Sequence, residues 1–294
     1  MLIDFHGNKI AVKEYDCQCG SLRPERIAPF VNIFVKVTNG CNAHCRFCSN
    51  AGHRSEERRF DVDKLLDVIG LLRESRIRVN RVNVTGGEPS VARSVVERIL
   101  HGMERAEYRG IHMHLNTNGV LPQSRLLMRH PRWDSISVSL HHYDIDRLAE
   151  LYGCDIPSDA FRFDDVDMKK VNASCNLIKG YIDCASEAHR MLDFAIGLGL
   201  TRMGFVALMR VNDYCRDHFV DLDDIHIDGI PHVYLTKSMH RGDDCKCSNY
   251  LYNKDMRVIE IYMRNYANPR YCESSLVYDG QYLRQGFHED NIIY

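Results

Sequence analysis

Three cysteines, Cys41, Cys45 and Cys48, lie within eight residues and carry the strongest chemical signal in this sequence. A C-x3-C-x2-C loop is short enough to wrap its thiolates around one compact inorganic group. Three thiolates on a four-iron cluster, which normally takes four, leave one iron open to another ligand. A structural zinc ion completed by His44 or another cysteine is the main alternative, although zinc sites usually pair C-x2-C with a distant second pair. The spacing therefore predicts a metal site and favours iron–sulfur over zinc, with ordinary buried thiols as the third interpretation.

Short strands alternate with helical segments from residue 31 onward. Alternating β-branched runs predict the strands, and apolar residues at helical spacing predict the helices between them. The expected strands are 31–37, 81–84, 111–115, 135–140, 171–177 and 203–209, and the expected helices are 61–76, 90–105, 122–129 and 185–198. Repeated β/α units form a parallel sheet with helices outside. Six of them predict an α/β fold, a partial (β/α)6 TIM-like barrel with a C-terminal extension.

This pattern divides the chain into three parts: an N-terminal extension at 1–30, a barrel core at 31–215 and a C-terminal extension at 216–294, where the β/α cycle ends. In such barrels the chemistry lies beyond the carboxyl ends of the strands. The cysteine loop and a Gly86-Gly87 turn each directly follow a predicted strand. We therefore expect both to face the same mouth of the barrel.

Charge and hydropathy exclude several other classes of protein. The chain has 38 Lys and Arg against 40 Asp and Glu, a formal charge of −2, so no overall positive field attracts it to nucleic acid. It has no run of about 18 apolar residues for a membrane helix, and its first residues are too polar for a signal peptide. We expect a cytoplasmic protein without a membrane partner. In that reducing compartment its 12 cysteines serve as metal ligands, catalytic groups or buried thiols rather than disulfides.

Five motifs in a fixed order resemble the radical S-adenosylmethionine (SAM) superfamily and together cover roughly residues 31–212. The first is the cysteine loop, with the aromatic Phe47 before its third cysteine. The others are, in chain order, Thr85 to Pro89, Asn116 to Gly119, Ser137 to Leu140 and Leu208 to Val211. Gly-Gly and Asn-Gly turns are common by themselves, so the order of the motifs carries the resemblance.

The resemblance implies two cofactors and an electron donor. A [4Fe-4S] cluster on Cys41, Cys45 and Cys48 would bind SAM at its open iron, and reductive cleavage would release a 5′-deoxyadenosyl radical that abstracts hydrogen from a substrate. The implied SAM contacts are Phe47, Gly86, Gly87, Glu88, Pro89, Asn118, Ser139 and Met209. Glycines at 86 and 87 would let the backbone approach the methionyl ammonium, because a β-carbon would obstruct it. A reduced flavodoxin- or ferredoxin-type protein is the implied donor.

Candidate substrate contacts come from the subgroup that the pattern most resembles, that of the molybdenum-cofactor GTP cyclase. They are Asn83, Thr117 and Lys170, although the cyclase has a basic residue at the position of Asn83. The chain ends at Tyr294 without the glycine-rich, arginine-bearing tail of that enzyme, so we expect a different reaction.

A histidine pair follows the fourth predicted strand and should lie at the mouth of the barrel. His141, His142 and Tyr143 are candidate catalytic residues there, since a His can exchange protons and Tyr143 can relay a hydrogen atom. The alternative is that all three are solvated loop residues.

Cysteines outside the triplet form a second candidate metal site. Cys215, Cys245, Cys247 and Cys272 could bind a second [4Fe-4S] cluster, as C-terminal extensions do in the resembling subgroup. The C-x-C spacing of Cys245 and Cys247 departs from the usual pattern. A zinc clip and a set of free thiols therefore stay open as alternatives.

Three functions are compatible with these residues. The favoured one is a radical SAM enzyme that oxidises, rearranges or crosslinks a small molecule in a biosynthetic pathway, because about thirty residues before the first strand leave little room for a peptide-binding domain. A peptide-modifying maturase is the second. The third is a non-catalytic sensor that uses iron–sulfur or zinc structurally, although a sensor needs no glycine turn beside an open iron.

Overall fold

The computed structural model describes residues 1–15, 26–50, 59–238, 246–265, 275–286 and 291–294. At the N-terminus, β1 (Leu2–Phe5) and β2 (Asn8–Ala11) form an antiparallel hairpin. The short strand β3 (Lys13–Tyr15) pairs antiparallel with β4 (Arg26–Lys36), the first strand of the main sheet.

Six parallel strands form the centre of the main sheet, and they lie side by side in chain order. They are β4, β5 (Arg78–Thr85), β6 (His112–Thr117), β7 (Ser135–Ser139), β8 (Val171–Leu177) and β9 (Arg202–Ala207). Each pairs in parallel with the next. The mostly parallel α/β sheet confirms the predicted fold class. The last strand is shorter than expected, because it ends at Ala207 and leaves residues 208 and 209 in the loop at its carboxyl end.

Helices follow most of these strands. They are α1 (Val62–Glu74), α2 (Arg93–Gly102), α3 (Pro122–Met128), α4 (Ile145–Tyr152), α5 (Ala185–Gly197) and α6 (Asp213–Asp217). Asp61 caps α1 by accepting the Lys64 N–H, as the sequence predicts. No helix within the described ranges is both long enough and apolar enough to span a bilayer.

The C-terminal segment adds strands to both edges of the six-stranded centre. They are β10 (Val233–Ser238), β11 (Ser248–Lys254), β12 (Arg257–Asn265), β13 (Ser275–Tyr278) and β14 (Leu283–Gln285). β12 pairs in parallel with β9, and β13 pairs in parallel with β4 on the opposite edge. The sequence did not predict these strands. They place residues after 215 beside the barrel interior. The division of the chain into an N-terminal extension, a barrel core and a C-terminal extension stays a prediction.

The interior face of the central strands is polar. On β6, His112, His114 and Asn116 line internal cavities, whereas Met113 and Leu115 are fully buried on the opposite face of the strand. The same alternation recurs on β7 and β8, where serine and asparagine side chains face inward. Inward residues of closed TIM barrels are usually bulky and apolar and fill the core. Polar residues at these positions leave room for ligands inside the barrel.

Candidate active site

A cavity of about 270 Å³ lies at the carboxyl ends of the central strands. We call it the cofactor cavity, because the expected cofactor ligands line it. Cys41, Cys45 and Cys48 all line it, together with Phe47. Burial, together with the negative charges of Cys48 and Cys41, raises the pKa of the Cys45 thiol to about 12. The three sulfurs are therefore close enough to repel one another as thiolates, a repulsion that a bound cationic group would relieve.

Three thiols that line one cavity are the donor type that an iron–sulfur cluster takes. Among the described residues, no three Cys, His, Asp or Glu side chains converge as ligands of one metal ion. In a four-iron cluster each thiolate binds a different iron, so its ligands surround a cavity rather than a point. Three thiols along one cavity wall match that requirement, and a fourth ligand would come from outside this triplet.

The Gly86-Gly87 turn packs directly on the backbone that leads into the cysteine loop. The Gly87 N–H donates to the Thr38 carbonyl over 2.7 Å, and the Glu88 N–H donates to the Gly40 carbonyl over 2.9 Å. A β-carbon at Gly87 would lie 2.0 Å from the Gly40 oxygen, and one at Gly86, where φ is +146°, would lie 2.5 Å from the Thr38 oxygen. Glycine is thus required by a contact within the chain itself, in addition to any approach of a ligand.

Glu88 connects the turns that follow β5 and β6. Its buried carboxylate accepts the Ser90 N–H at 3.0 Å, the Thr117 hydroxyl at 2.7 Å and the Asn118 N–H at 2.7 Å. The Asn118 side-chain amide in turn donates to the Asn42 side chain over 2.8 Å, within the cysteine loop. Glu88 therefore positions the cavity wall, and it also supplies the one carboxylate among the described cavity-lining residues.

Two later helices hold the cysteine loop from the other side. The His44 N–H donates to the Tyr152 carbonyl at the end of α4 over 2.6 Å, and the Tyr152 hydroxyl donates to the Ser139 carbonyl. The Asn212 side chain, which caps α6, donates to the Arg46 carbonyl over 2.9 Å. Contacts from four β/α units thus fix one ten-residue loop, which is the requirement for a preorganised cofactor site.

His141 lies inside this site as a neutral ring. Its Nδ1 accepts the Asn176 N–H at 3.0 Å, and its ring packs edge-on against Phe47 and Tyr152. Complete burial lowers the pKa of His141 to about 3, so the ring carries no charge at neutral pH. With Nδ1 as the acceptor, the ring proton is on Nε2 and is available as a hydrogen-bond donor.

His142 and Tyr143 lie outside both internal cavities. His142 accepts the Asp144 N–H at 2.9 Å and stacks on Tyr143, whose hydroxyl donates to Glu187 over 2.7 Å. The structure thus brings His141 to the cofactor cavity but does not bring its two neighbours there. Their catalytic roles stay predictions.

Most of the expected SAM contacts share the cofactor cavity. The lining residues include Phe47, Gly86, Gly87, Glu88, Asn118, Ser139 and Met209. Pro89 is buried beside the cavity as the first residue of the 3-10 helix Pro89–Ala92. Sequence reasoning missed Asn50, Tyr152 and Asn176, which also line the cavity. Asn50 lies two residues after the last cysteine of the loop, and its side chain donates to the Gly86 carbonyl over 2.8 Å.

A second cavity of about 510 Å³ occupies the rest of the barrel interior, towards the amino ends of the strands. Asn116, Ser174 and Val206 line both cavities, so the two adjoin at these residues. Of the expected substrate contacts, Lys170 lines the second cavity and Thr117 lines the cofactor cavity.

Asn83, the third expected contact, is buried on β5 but is not among the residues that line either cavity. The missed lining residues of the second cavity include Arg81, His112, His114, Asn172, Tyr262 and Arg264. The polar positions on alternate residues of the predicted strands could have revealed those on β6 and β8.

The two described cysteines of the proposed auxiliary site lie in separate packing environments. Cys215 is fully buried, and its thiol donates to the Phe47 carbonyl over 3.6 Å, against the cysteine loop. Cys247 is also buried and accepts the Asn265 N–H at 3.5 Å, between β11 and β12. Cys245 and Cys272 lie outside the described residues. A second cluster on these four cysteines stays a prediction.

Comparisons with known proteins agree with this geometry. Residues 35–157 match the Radical SAM superfamily. The chain is 25% identical to a probable GTP 3′,8-cyclase of Saccharolobus solfataricus over 283 residues, which cover 90% of this chain and 85% of the relative.

Solved structures with the same fold include SuiB of Streptococcus suis bound to S-adenosylmethionine, with a TM-score of 0.51 and 18% identity over 63% of this chain. The match spans 42% of the SuiB chain. A radical SAM methyltransferase from Sphaerobacter thermophilus gives a TM-score of 0.52 and 18% identity over 69% of this chain and 65% of the neighbour.

Proposed function

We propose that this chain, which carries a radical SAM domain at residues 35–157, cleaves SAM reductively and abstracts hydrogen from a small polar molecule held inside the barrel. The observation that carries the proposal is the pair of adjoining cavities. The cysteine triplet and the glycine turn line one cavity, and the other cavity has room for a second molecule. Because the two cavities share lining residues, a substrate in the second cavity would lie next to the cofactor.

We assign different roles to different residues of the cofactor cavity. Cys41, Cys45 and Cys48 would hold a [4Fe-4S] cluster, which would supply the electron for the reductive cleavage of SAM. Glu88 holds the turns around the cavity and offers its carboxylate to a cationic group. His141 offers a neutral N–H donor that stays uncharged across the physiological range, since its pKa is about 3.

The size and composition of the second cavity favour a small molecule over a peptide. About 510 Å³ is within the usual range of small-molecule sites, roughly 300–1,000 Å³. Asparagine, serine and histidine side chains line it and can hydrogen-bond to hydroxyl, amide or heterocyclic groups. A polar metabolite fits this interior, and oxidation, rearrangement or crosslinking of such a molecule is the chemistry we propose.

A nucleotide is the second candidate substrate. The relatives are named for action on GTP, and the second cavity of this chain carries several lysine and arginine side chains that suit an anionic ligand. For the reductant, we propose a flavodoxin- or ferredoxin-type protein.

Anaerobic reconstitution with iron and sulfide, followed by dithionite and SAM, tests the proposed function. We expect 5′-deoxyadenosine to form, and we expect its rate to rise when the true substrate or a mixture of small polar metabolites is present. Cys45→Ala should abolish formation, whereas Cys154→Ala, which removes a neighbouring thiol outside the triplet, should retain it. An intact iron–sulfur absorption spectrum without any 5′-deoxyadenosine would favour a sensor instead.

A further inference from the structure

We propose that His112, Ser135 and His114 form a proton relay, which carries protons between solvent at the amino-terminal opening of the barrel and a substrate in the second cavity. The inference rests on the proposed function, because it assigns proton transfer to and from the molecule that the radical attacks. The observation that carries it is a single hydroxyl that contacts two imidazole rings inside that cavity.

The Ser135 hydroxyl lies between the two histidine rings. Its Oγ is 2.7 Å from Nε2 of His112 and 2.6 Å from Nδ1 of His114. A hydroxyl carries one proton, so it donates to one of these nitrogens and accepts the proton of the other. One ring is therefore protonated at the nitrogen that faces Ser135, and the other ring is not. The hydroxyl thus couples the tautomers of the two rings.

Strand geometry places the three groups in a row from the opening to the interior. His112 is the first residue of β6, and His114 is the next inward residue, about 7 Å further along the strand. Ser135 begins β7 and is the register partner of His114. All three side chains line the second cavity, and Asn116, the inward residue after His114, lines both cavities. The row therefore leads from the opening towards the junction with the cofactor cavity.

The charges around the row keep both rings neutral. Burial, together with the charge of Arg81 on β5, lowers the pKa of His114 to about 3, and the same two causes lower the pKa of His112. Asp134 acts in the opposite direction on His112, but its carboxylate pairs with Arg132 at 3.1 Å. Neither ring therefore stores an extra proton at neutral pH, so protons cross the row by concerted transfer along its hydrogen bonds.

Outward transfer balances without an added oxidant or reductant. A proton from the substrate binds Nε2 of His114 as the proton on its Nδ1 passes to the Ser135 oxygen. At the same time the Ser135 proton passes to Nε2 of His112, and the proton on Nδ1 of His112 leaves to solvent. One proton enters, one leaves, and each group ends neutral. The row is then set for inward transfer, and a proton that returns to the interior in a later step restores the first arrangement.

Proton exchange at the His114 ring distinguishes a relay from a hydrogen-bonded link that only joins β6 to β7. The reconstituted protein is labelled with ¹⁵N-histidine, and exchange of the His114 ring N–H with water is measured by NMR magnetisation transfer, without SAM or substrate. The relay predicts that Ser135→Ala slows this exchange at least about tenfold, because the middle group is lost. A link alone predicts equal or faster exchange, because its loss loosens the two strands.

Two further serine variants give the matched controls. Ser135→Thr keeps the hydroxyl and should hold the exchange rate within about threefold of the wild type. Ser137→Ala removes the next inward hydroxyl of β7, which accepts a hydrogen bond from Asn172 at 3.0 Å, and should leave the exchange unchanged. The His114 signal is the one that His114→Asn removes. Backbone amide spectra that match the wild type show that each variant is folded.

The proposal is overturned if His114 exchanges as fast in Ser135→Ala as in Ser137→Ala, or faster. It is also overturned if Ser135→Thr exchanges as slowly as Ser135→Ala. Failure of the proposed function would show separately, as absent 5′-deoxyadenosine formation in protein whose His114 exchange still depends on the Ser135 hydroxyl.

Discussion

The two ends of the barrel interior are built in different ways. At the carboxyl end, a cavity of about 270 Å³ is formed by loops that are hydrogen-bonded to one another, and Glu88 is its one carboxylate among the described residues. At the amino end, a cavity of about 510 Å³ is formed by side chains that project from regular strands, and most of its charged groups are basic. The cofactor end thus depends on backbone contacts between loops, whereas the other end depends on inward side chains. Substitutions at the two ends should therefore have different consequences.

The largest effect should follow Gly87→Ala. The new β-carbon would meet the Gly40 carbonyl at 2.0 Å, so the glycine turn and the cysteine loop could not keep their present contact. We expect loss of cluster incorporation and at least about a hundredfold loss of 5′-deoxyadenosine formation. Gly110→Ala, where nothing lies within 4 Å, is the matched control. Equal activity of both variants would show that the loop contact is dispensable.

Glu88→Gln should be the next most severe change. The substitution removes a buried charge that accepts four hydrogen bonds, and it places an amide donor opposite other donors. We expect the free energy of unfolding to fall by about 3 kcal/mol, measured by denaturant titration. Glu97→Gln, which breaks the exposed pair with Arg93, should cost less than about 1 kcal/mol. A Glu88→Gln cost as small as that of the control would contradict its role in holding the turns.

Acidification should destabilise the protein at both ends of the barrel interior, because His114 at the amino end and His141 at the carboxyl end both have a lowered pKa. His114 has its pKa lowered from 6.5 to about 3 by burial, so between these values the unfolded chain binds a proton that the folded chain does not. Stability therefore falls as pH decreases below 6.5, and His114 alone contributes a loss of about 2 kcal/mol between pH 6.5 and 5.

The variant His114→Asn should show a shallower dependence of stability on pH over this interval, measured by denaturant titration at each pH. His101→Asn, at an exposed position, should follow the wild type. Identical slopes for all three proteins would show that the folded His114 ring takes up the proton.

Gly204→Ala should have the smallest effect and should spare the cofactor end. Its β-carbon would lie 2.2 Å from the ring of Tyr262, whose hydroxyl accepts a hydrogen bond from Asn172 at 2.8 Å. The displaced ring should cost about 1–2 kcal/mol by overpacking. Substrate-independent formation of 5′-deoxyadenosine should stay within about twofold of the wild type. Gly70→Ala, with no neighbour within 4 Å, is the stability control. A loss of SAM cleavage in Gly204→Ala would show that the two ends of the barrel interior are not independent.

The sequence predicted the cofactor end far better than the rest of the interior, for a physical reason. The loops that bind a cofactor are contiguous, so the cysteine loop and the turns at Thr85 to Pro89 and Asn116 to Gly119 stand together in the chain. The strand positions followed from local alternation, and β8 begins and ends where the pattern predicts. The helix α1 followed from its capping aspartate.

The missed elements depend on contacts between distant parts of the chain. Helix α4 was missed although Asp144 and Gly153 mark its two ends, because the histidine pair before it suggested a loop. Strand β12 carries no local sign that it will pair with β9, since that pairing forms only in the folded sheet. Consequently Tyr262 and Arg264, which β12 adds to the second cavity, could not be assigned from the sequence.

The central claim is that Cys41, Cys45 and Cys48 hold an iron–sulfur cluster in the cofactor cavity. Metal analysis tests this claim most directly. Iron, zinc and acid-labile sulfide should be measured in anaerobically reconstituted wild type and in the triple variant Cys41→Ala/Cys45→Ala/Cys48→Ala. The account predicts a difference of about four irons per chain between the two proteins, with no difference in zinc. Equal iron in both proteins, or a difference of one zinc per chain, would contradict it.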